Sequence, residues 1–165
     1  IDLFAGIGGF RMAFERAGGE CVFSSEWNEF AQATYRANFK MNHDLAGDIT
    51  KIPAASIPSH DVLLGGFPCQ PFSVAGKQKG TEDERHLWPA FFSLIRECRP
   101  AVIFGEQVSA AIGHGWLDLV QTDLEAQDYA VGKAVLGACS VGAPHIRQRL
   151  YFVGELANAR GADAD

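Results

Sequence analysis

The chain opens with IDLFAGIGGF at residues 1–10, where a short apolar run leads into a glycine-rich turn. Phe10, Phe14 and Ala17 then follow at the three- and four-residue intervals that mark one face of a helix. A strand joined to a helix by a short turn is typical of α/β folds. We therefore predict a first strand that ends near Phe4 and a helix directly after the glycines.

The same alternation of short apolar runs and amphipathic stretches continues along the chain. It predicts further strands at residues 21–23, 61–64, 101–104, 130–136 and 149–153, with helices between most of them. Residues 70–84 are polar, contain glycine and have no period, which indicates a long loop of the kind that usually has a function. The whole pattern favours an α/β fold with a mainly parallel sheet.

Length and composition are those of one globular domain, with 165 residues, 47% hydrophobic and 21% charged side chains. No apolar run reaches the ~18 residues of a membrane helix, and the start lacks the features of a signal peptide. The four cysteines form no C-x-x-C pair, so we expect no disulfide scaffold, no metal site and a cytoplasmic location. The net charge of −6 means that any contact with nucleic acid is local or supplied by absent parts.

The glycine turn has the features of a ligand site. Its glycines let the backbone approach a ligand, and the helix that follows offers its amino-terminal N–H groups. Glu26 lies twenty residues after Gly6, at the end of the predicted second strand, where a carboxylate can accept both hydroxyls of a ribose. Arg11 stands where a dinucleotide fingerprint needs its third glycine, so a nucleoside cofactor without a pyrophosphate fits better. The alternative is a glycine turn used only for close packing.

Two further positions extend this hypothesis. Trp27 can lie on a purine face, or it can be a boundary tryptophan that covers the core. Asp48, which precedes Ile49, can accept a hydrogen bond from an exocyclic amine, or it can cap a helix or turn.

The most unusual stretch is GGFPCQPFS at residues 65–73. Cys69 follows a predicted central strand at its carboxyl end, where open α/β sheets place their ligands. Prolines on both sides stiffen the backbone around it. A thiol there is a candidate nucleophile if its thiolate fraction is raised, and otherwise it is a non-catalytic loop cysteine.

A carboxylic acid and two arginines complete the candidate chemistry. Glu106 ends another buried strand, and desolvation there would raise its pKa and let it donate to a ring nitrogen. The alternative is a strand-end carboxylate paired to an arginine. Arg147 and Arg149 alternate at the start of the last strand and are predicted to share one face. The two arginines can reach one polar ligand, hold Glu106 in place, or form a solvated surface pair.

Four segments together resemble the cytosine carbon-5 DNA methyltransferase family. They are DLFAGIGGF at residues 2–10, GGFPCQPFSVAGKQKG at 65–80, GEQV at 105–108 and GAPHIRQRLYFVG at 142–154. Their order and spacing also match, over nearly the whole chain. The resemblance implies S-adenosylmethionine as methyl donor, double-stranded DNA as substrate, and a Rossmann-like, mostly parallel seven-stranded sheet with an antiparallel last strand. It also suggests a bacterial or phage-like restriction-modification setting.

The resemblance assigns roles residue by residue. The implied cofactor-binding residues are Phe4, Ala5, Gly6, Ile7, Gly8, Gly9, Glu26, Trp27, Asp48, Ile49 and Pro68. Among the implied catalytic residues, Cys69 is the nucleophile, Glu106 binds the ring nitrogen and amino group of cytosine, Arg149 contacts the carbonyl oxygen of the base, and Arg147 supports the pocket. Gln70 and Ser73 would lie on a loop that closes over DNA.

The domain organisation that follows is a cofactor-binding and catalytic domain at residues 1–156 and a flexible tail at 157–165. The family's target-recognition region is expected after residue 160 and is absent from this chain. Three positions depart from the family pattern, namely His86, Gln107 and His145, and none of them is the nucleophile, the acid or either arginine.

Other interpretations remain open at this stage. The substrate can be tRNA, as in one branch of the family, or the chain can be a catalytic subunit that is inactive without a second chain carrying the recognition region. A nicotinamide dehydrogenase is disfavoured by Arg11.

Overall fold

The computed structural model describes residues 1–66, 68 and 87–157. Seven strands in these residues form one sheet: β1 (Asp2–Leu3), β2 (Ser24–Ser25), β3 (Leu45–Ala46), β4 (Val62–Gly66), β5 (Val102–Val108), β6 (Tyr129–Gly137) and β7 (Gln148–Leu156). The helices between them are α1 (Gly9–Arg16), α2 (Glu29–Asn38), α3 (Trp88–Cys98) and α4 (Trp116–Glu125). Short 3₁₀ turns occupy Ile49–Lys51, Ala54–Ser56, Ser109–His114 and Ala138–Val141.

The order of strands across the sheet is β3-β2-β1-β4-β5-β7-β6. The first five strands are parallel, and β7 runs antiparallel to both β5 and β6. The short connection between β6 and β7 allows this antiparallel pairing, whereas the parallel strands need longer crossovers. The predicted fold class, a mostly parallel seven-stranded sheet with an antiparallel last strand, is confirmed.

The register brings three loop starts to one edge of the sheet. Leu3 of β1 pairs with Gly65 of β4, and the next residue, Gly66, pairs with Glu106 of β5. The glycine turn after β1, the segment after β4 and the end of β5 therefore meet at the carboxyl edge. Ligands of open α/β sheets bind at this edge.

The core on one side of the sheet is built from aromatic side chains of α3, α4 and β7. Trp88 contacts Phe91, Trp116 and Phe152, with ring centroids 6.0–6.3 Å apart. Its indole N–H donates to an Asp123 carboxylate oxygen at 2.7 Å, which satisfies the one polar atom of the ring. Gly105 is required beneath Phe152, because a Cβ at that position would overlap the ring. This packing holds β5, and with it Glu106, in place.

Some predicted boundaries differ from the structure. The second strand is predicted at residues 21–23, but β2 is Ser24–Ser25. These two serines are fully buried because their hydroxyls are satisfied inside the protein: Ser24 contacts Tyr35 and His43, and Ser25 donates to the Gly47 carbonyl. The predicted strand at 101–104 is longer and extends to Val108. The predicted loop at 70–84 and residues 158–165 lie outside the described residues.

Candidate active site

The glycine turn forms an open cradle at the carboxyl end of β1. Gly6 and Gly8 adopt φ of 56° and 95°, in the left-handed region that favours glycine. The turn closes through a hydrogen bond from the Gly8 N–H to the Ala5 carbonyl at 2.8 Å. A Cβ added at Gly6 or Gly9 would meet no atom of residues 1–66, 68 and 87–157 within 4 Å. A ligand can therefore approach the backbone closely here.

Glu26 ties this turn to the second strand. Its Oε2 accepts the Gly6 N–H and its Oε1 accepts the Asn28 N–H, both at 2.8 Å, and the residue is only 7% exposed. Each carboxylate oxygen has a second lone pair and can accept a further donor such as a ribose hydroxyl. Trp27 is 73% exposed, so one face of its indole is available to a flat ring. These features fit a nucleoside cofactor.

Three further predicted cofactor residues, Asp48, Ile49 and Pro68, differ in their exposure and contacts. Asp48 caps the 3₁₀ turn Ile49–Lys51, because its Oδ1 accepts the Thr50 N–H at 3.0 Å and the Thr50 hydroxyl at 2.8 Å. These hydrogen bonds lower the pKa of Asp48 and keep it ionised. The Ile49 side chain is buried in the hydrophobic core. Pro68 is half-buried.

Asp2 is a buried acid to which the sequence reasoning assigned no role. It is 0% exposed, and no described residue forms a hydrogen bond with either of its carboxylate oxygens within the usual distance and angle limits. Burial raises its pKa to about 7; Arg11 opposes this shift, and the charge of Glu26 adds to it. A charged residue inside the apolar run IDLF was the signal available in the sequence.

We expect Asp2→Asn to change how stability depends on pH. Because the folded-state pKa lies above the unfolded value, ionisation of Asp2 destabilises the fold as pH rises from about 4 through 7. Asparagine removes that dependence. The difference in unfolding free energy between the variant and the wild type should therefore shift in favour of the variant by about 2–3 kcal/mol when the pH is raised from 5 to 8. Urea titrations at both pH values measure this, and parallel pH profiles for the two proteins would contradict it.

Glu106 and Arg149 form an ion pair at the same edge of the sheet. Arg149 Nε lies 2.7 Å from Glu106 Oε1, and the two side chains are 20% and 22% exposed, respectively. The antiparallel register explains the pair: Glu106 faces Tyr151, and Arg149 is the diagonal neighbour on the same face. Burial raises the pKa of Glu106, whereas the positive charges of Arg149 and Arg147 lower it.

The prediction that Arg147 and Arg149 share a strand face is wrong. β7 begins at Gln148, and Arg147 precedes it with φ of 33°, so the alternation of a strand does not reach Arg147. The Ala138 N–H contacts the carbonyls of both Ile146 and Arg147, which curls the chain before the strand. Arg147 is exposed and acts on Glu106 only through its charge.

Three predicted site residues, namely Cys69, Gln70 and Ser73, lie outside the described residues. The pairing of Gly66 with Glu106 nevertheless puts the residue three positions before Cys69 directly beside the acid. Gln107, which follows Glu106, is buried, and its side-chain carbonyl accepts the Val108 N–H at 2.9 Å.

Neither a metal centre nor a membrane span is found in the described part of the chain. No three His, Cys, Asp or Glu side chains within residues 1–66, 68 and 87–157 are grouped so that they could hold a metal ion. None of the helices in those ranges has the length and apolar character needed to cross a bilayer.

Comparison with solved structures supports the fold. The DNMT2 protein of Spodoptera frugiperda superposes with a TM-score of 0.81 at 25% identity, covering 96% of this chain and 50% of that one. A putative DNA modification methyltransferase from an Escherichia coli prophage superposes with a TM-score of 0.78 at 24% identity, over 96% of this chain and 47% of the other.

Sequence comparison gives the family. The type II methyltransferase M.HhaI of Haemophilus parahaemolyticus is 44% identical over 157 residues, which cover 93% of this chain and 47% of that protein. This chain therefore spans about half the length of such relatives, whose remaining length lies in the same polypeptide, so the comparisons do not support a second chain. The sequence profile of the C-5 cytosine-specific DNA methylases matches residues 1–160. The chain belongs to that family.

Proposed function

We propose that the protein carrying this chain transfers a methyl group from S-adenosylmethionine to carbon 5 of a cytosine in double-stranded DNA. The observation that carries the proposal is the Glu106–Arg149 ion pair beside Gly66, at the sheet edge that also holds the open glycine turn. An acid, a cofactor cradle and the segment leading to Cys69 are thus grouped at one edge. In this proposal residues 1–156 form the cofactor-binding and catalytic domain, and the reaction takes place in the cytoplasm of a bacterium.

The cofactor is assigned to the cradle. The backbone of residues 4–9 and the half-buried Pro68 would surround its methionine part, Glu26 would accept its ribose hydroxyls, and Trp27 would lie against the adenine. Asp48 would accept a hydrogen bond from the adenine amine, and Ile49 would contribute through its backbone because its side chain is in the core. When bound, S-adenosylmethionine supplies an electrophilic methyl group on a sulfonium.

The chain's own residues make the cytosine reactive. The Cys69 thiolate would add to carbon 6 of the cytosine. The electron pair of the 5,6 double bond would then be available at carbon 5 to bond the transferred methyl carbon, as the bond between that carbon and the sulfonium sulfur breaks. Glu106 donates a proton or a strong hydrogen bond to the ring nitrogen, which disperses the negative charge of the adduct. After the methyl group is in place, the hydrogen on carbon 5 leaves as a proton to water, and its bonding electrons restore the 5,6 double bond and expel the thiolate from carbon 6.

Arg149 has two roles in this scheme. Its Nε holds the Glu106 carboxyl at 2.7 Å, and the rest of the guanidinium can donate to the carbonyl oxygen of the base. Arg147 adds positive charge to the pocket from its exposed position. Gln70 and Ser73 are assigned to the loop that contacts DNA, and the base must leave the helix to reach the site, at a cost of a few kcal/mol.

Label transfer from radioactive S-adenosylmethionine tests the proposal on the full-length protein. We expect incorporation into duplex DNA that contains the target site and none into tRNA or into DNA in which the target cytosine is already methylated. Labelling of tRNA alone would replace DNA as the substrate. Absence of label on either nucleic acid until a second polypeptide is added would establish the two-chain alternative instead.

A further inference from the structure

Phe39 lies directly against the glycine turn. Gly8 precedes the first residue of α1 and adopts φ of 95°, and a Cβ on Gly8 would overlap the edge of the Phe39 ring. Among the glycines of residues 4–9, Gly8 is the one at which an added Cβ would meet a side chain of the described part of the chain. The aromatic ring therefore packs against the backbone at the point where the turn becomes a helix.

The ring is itself held on several sides. Phe39 follows the last residue of α2, and its N–H donates to the Tyr35 carbonyl at 3.0 Å. The ring centroids of Tyr35 and Phe39 are 4.8 Å apart, and the central carbon of the Arg11 guanidinium lies 4.6 Å from the Phe39 ring centroid, over the face of the ring. Arg11 is buried and bonded to Glu15 at 2.7 Å. Because these contacts hold the Phe39 ring, it cannot shift easily when a ligand binds the glycine turn.

Two parts of the chain therefore contact the glycine turn and hold it: Glu26 after β2, and the end of α2. Glu26 holds Gly6 through a hydrogen bond, and the end of α2 supports the residues that follow, with Phe39 against Gly8 and the Asn38 amide 3.4 Å from the Ile7 carbonyl. Glycine gives the turn its shape but leaves it free to sample others. A ligand that binds a preorganised turn does not have to order it, so bracing raises affinity.

We propose that Phe39 is a positioning residue for the cofactor: it fixes the glycine turn in its binding conformation without touching the ligand. This inference rests on the proposed function, because it takes S-adenosylmethionine as the ligand of the turn. It predicts that loss of the ring weakens cofactor binding and leaves the chemical step intact.

The test compares Phe39→Ala with Phe92→Ala in the full-length protein. Phe92 is also half-buried, but it stacks on Trp88 in α3, with ring centroids 5.7 Å apart, and it reports the general cost of losing a phenylalanine. Calorimetric titration with S-adenosylhomocysteine gives the affinity of each variant directly. We expect Kd to rise about tenfold or more for Phe39→Ala, and to change less than about twofold for Phe92→Ala.

Steady-state kinetics and a conservative variant sharpen the result. For Phe39→Ala, KM for S-adenosylmethionine should rise with Kd while kcat at saturation stays within about twofold of wild type. Phe39→Leu keeps part of the bulk against Gly8 but loses the ring under Arg11. Its Kd should lie between those of the wild type and Phe39→Ala, about threefold above wild type, and it carries the test if the alanine variant does not fold. Wild-type affinity in folded Phe39→Ala or in folded Phe39→Leu would overturn the positioning role. A loss of affinity in Phe92→Ala equal to the loss in the Phe39 variant would overturn it too. Failure of the wild type to bind S-adenosylhomocysteine would instead overturn the proposed function.

Discussion

Replacing Cys69 by serine should abolish methyl transfer to DNA and also remove any covalent adduct between protein and base. A hydroxyl is far less ionised than a thiol near neutral pH, so the attack on carbon 6 loses its nucleophile. The expected loss is at least about a thousandfold in kcat. Duplex DNA with 5-fluorocytosine at the target position tests this most directly, because fluorine cannot leave as the hydrogen does and the adduct is retained.

The matched control is Cys139→Ser. Cys139 is an exposed free thiol in the 3₁₀ turn after β6, so its loss should leave both activity and trapping unchanged. Mass spectrometry of the trapped complex should place the adduct at Cys69. An adduct at another cysteine, or undiminished labelling of DNA by Cys69→Ser, would refute the assignment.

The second large effect is expected for Glu106→Gln. Glutamine keeps the shape of the side chain and can still donate from its amide, but it cannot transfer a proton to the ring nitrogen. Removal of a group that stabilises developing charge lowers kcat by about 10²–10³-fold in comparable sites. The fall should appear in kcat more than in the affinity for DNA, and rates under single-turnover conditions measure it.

Stability must be checked in the same variant, because Glu106 also pairs with Arg149 on the sheet. We expect Glu106→Gln to keep the circular dichroism spectrum of the wild type, since both side chains are partly exposed and water can replace the lost ion pair. Glu97→Gln is the control, since Glu97 is an exposed carboxylate on α3 whose partner is Ser93. Full activity of Glu106→Gln would contradict a catalytic role for the carboxylate. Unfolding of this variant would show instead that the carboxylate is a structural group.

Several features of the site could be predicted from the sequence because they depend on local chemistry. A glycine turn after an apolar run, Glu26 after the next strand and a cysteine framed by prolines are patterns whose meaning does not require distant residues. The described part of the structure shows Glu26 bonded to the turn and Trp27 exposed beside it. The role of Cys69 remains a prediction.

Other features could not be predicted because they depend on register or on burial. Whether Arg149 pairs with Glu106, which the sequence left open, follows from a diagonal relation between β5 and β7 that brings together two residues 43 positions apart in the chain. Placing Arg147 on the same strand failed because the curl before Gln148 is set by hydrogen bonds from Ala138. The second strand was predicted in the apolar residues 21–23, whereas buried hydroxyl contacts place it at Ser24–Ser25.

The sequence by itself determined the α/β class, the order of the elements and the residue types available for chemistry, because spacing and side-chain identity are local properties of the chain. Only the tertiary structure decided that Phe39 packs against Gly8, that Asp2 is buried and that Arg149 reaches Glu106. Each of these depends on which elements become neighbours in three dimensions. Contact and desolvation are properties of that arrangement, and no single segment contains them.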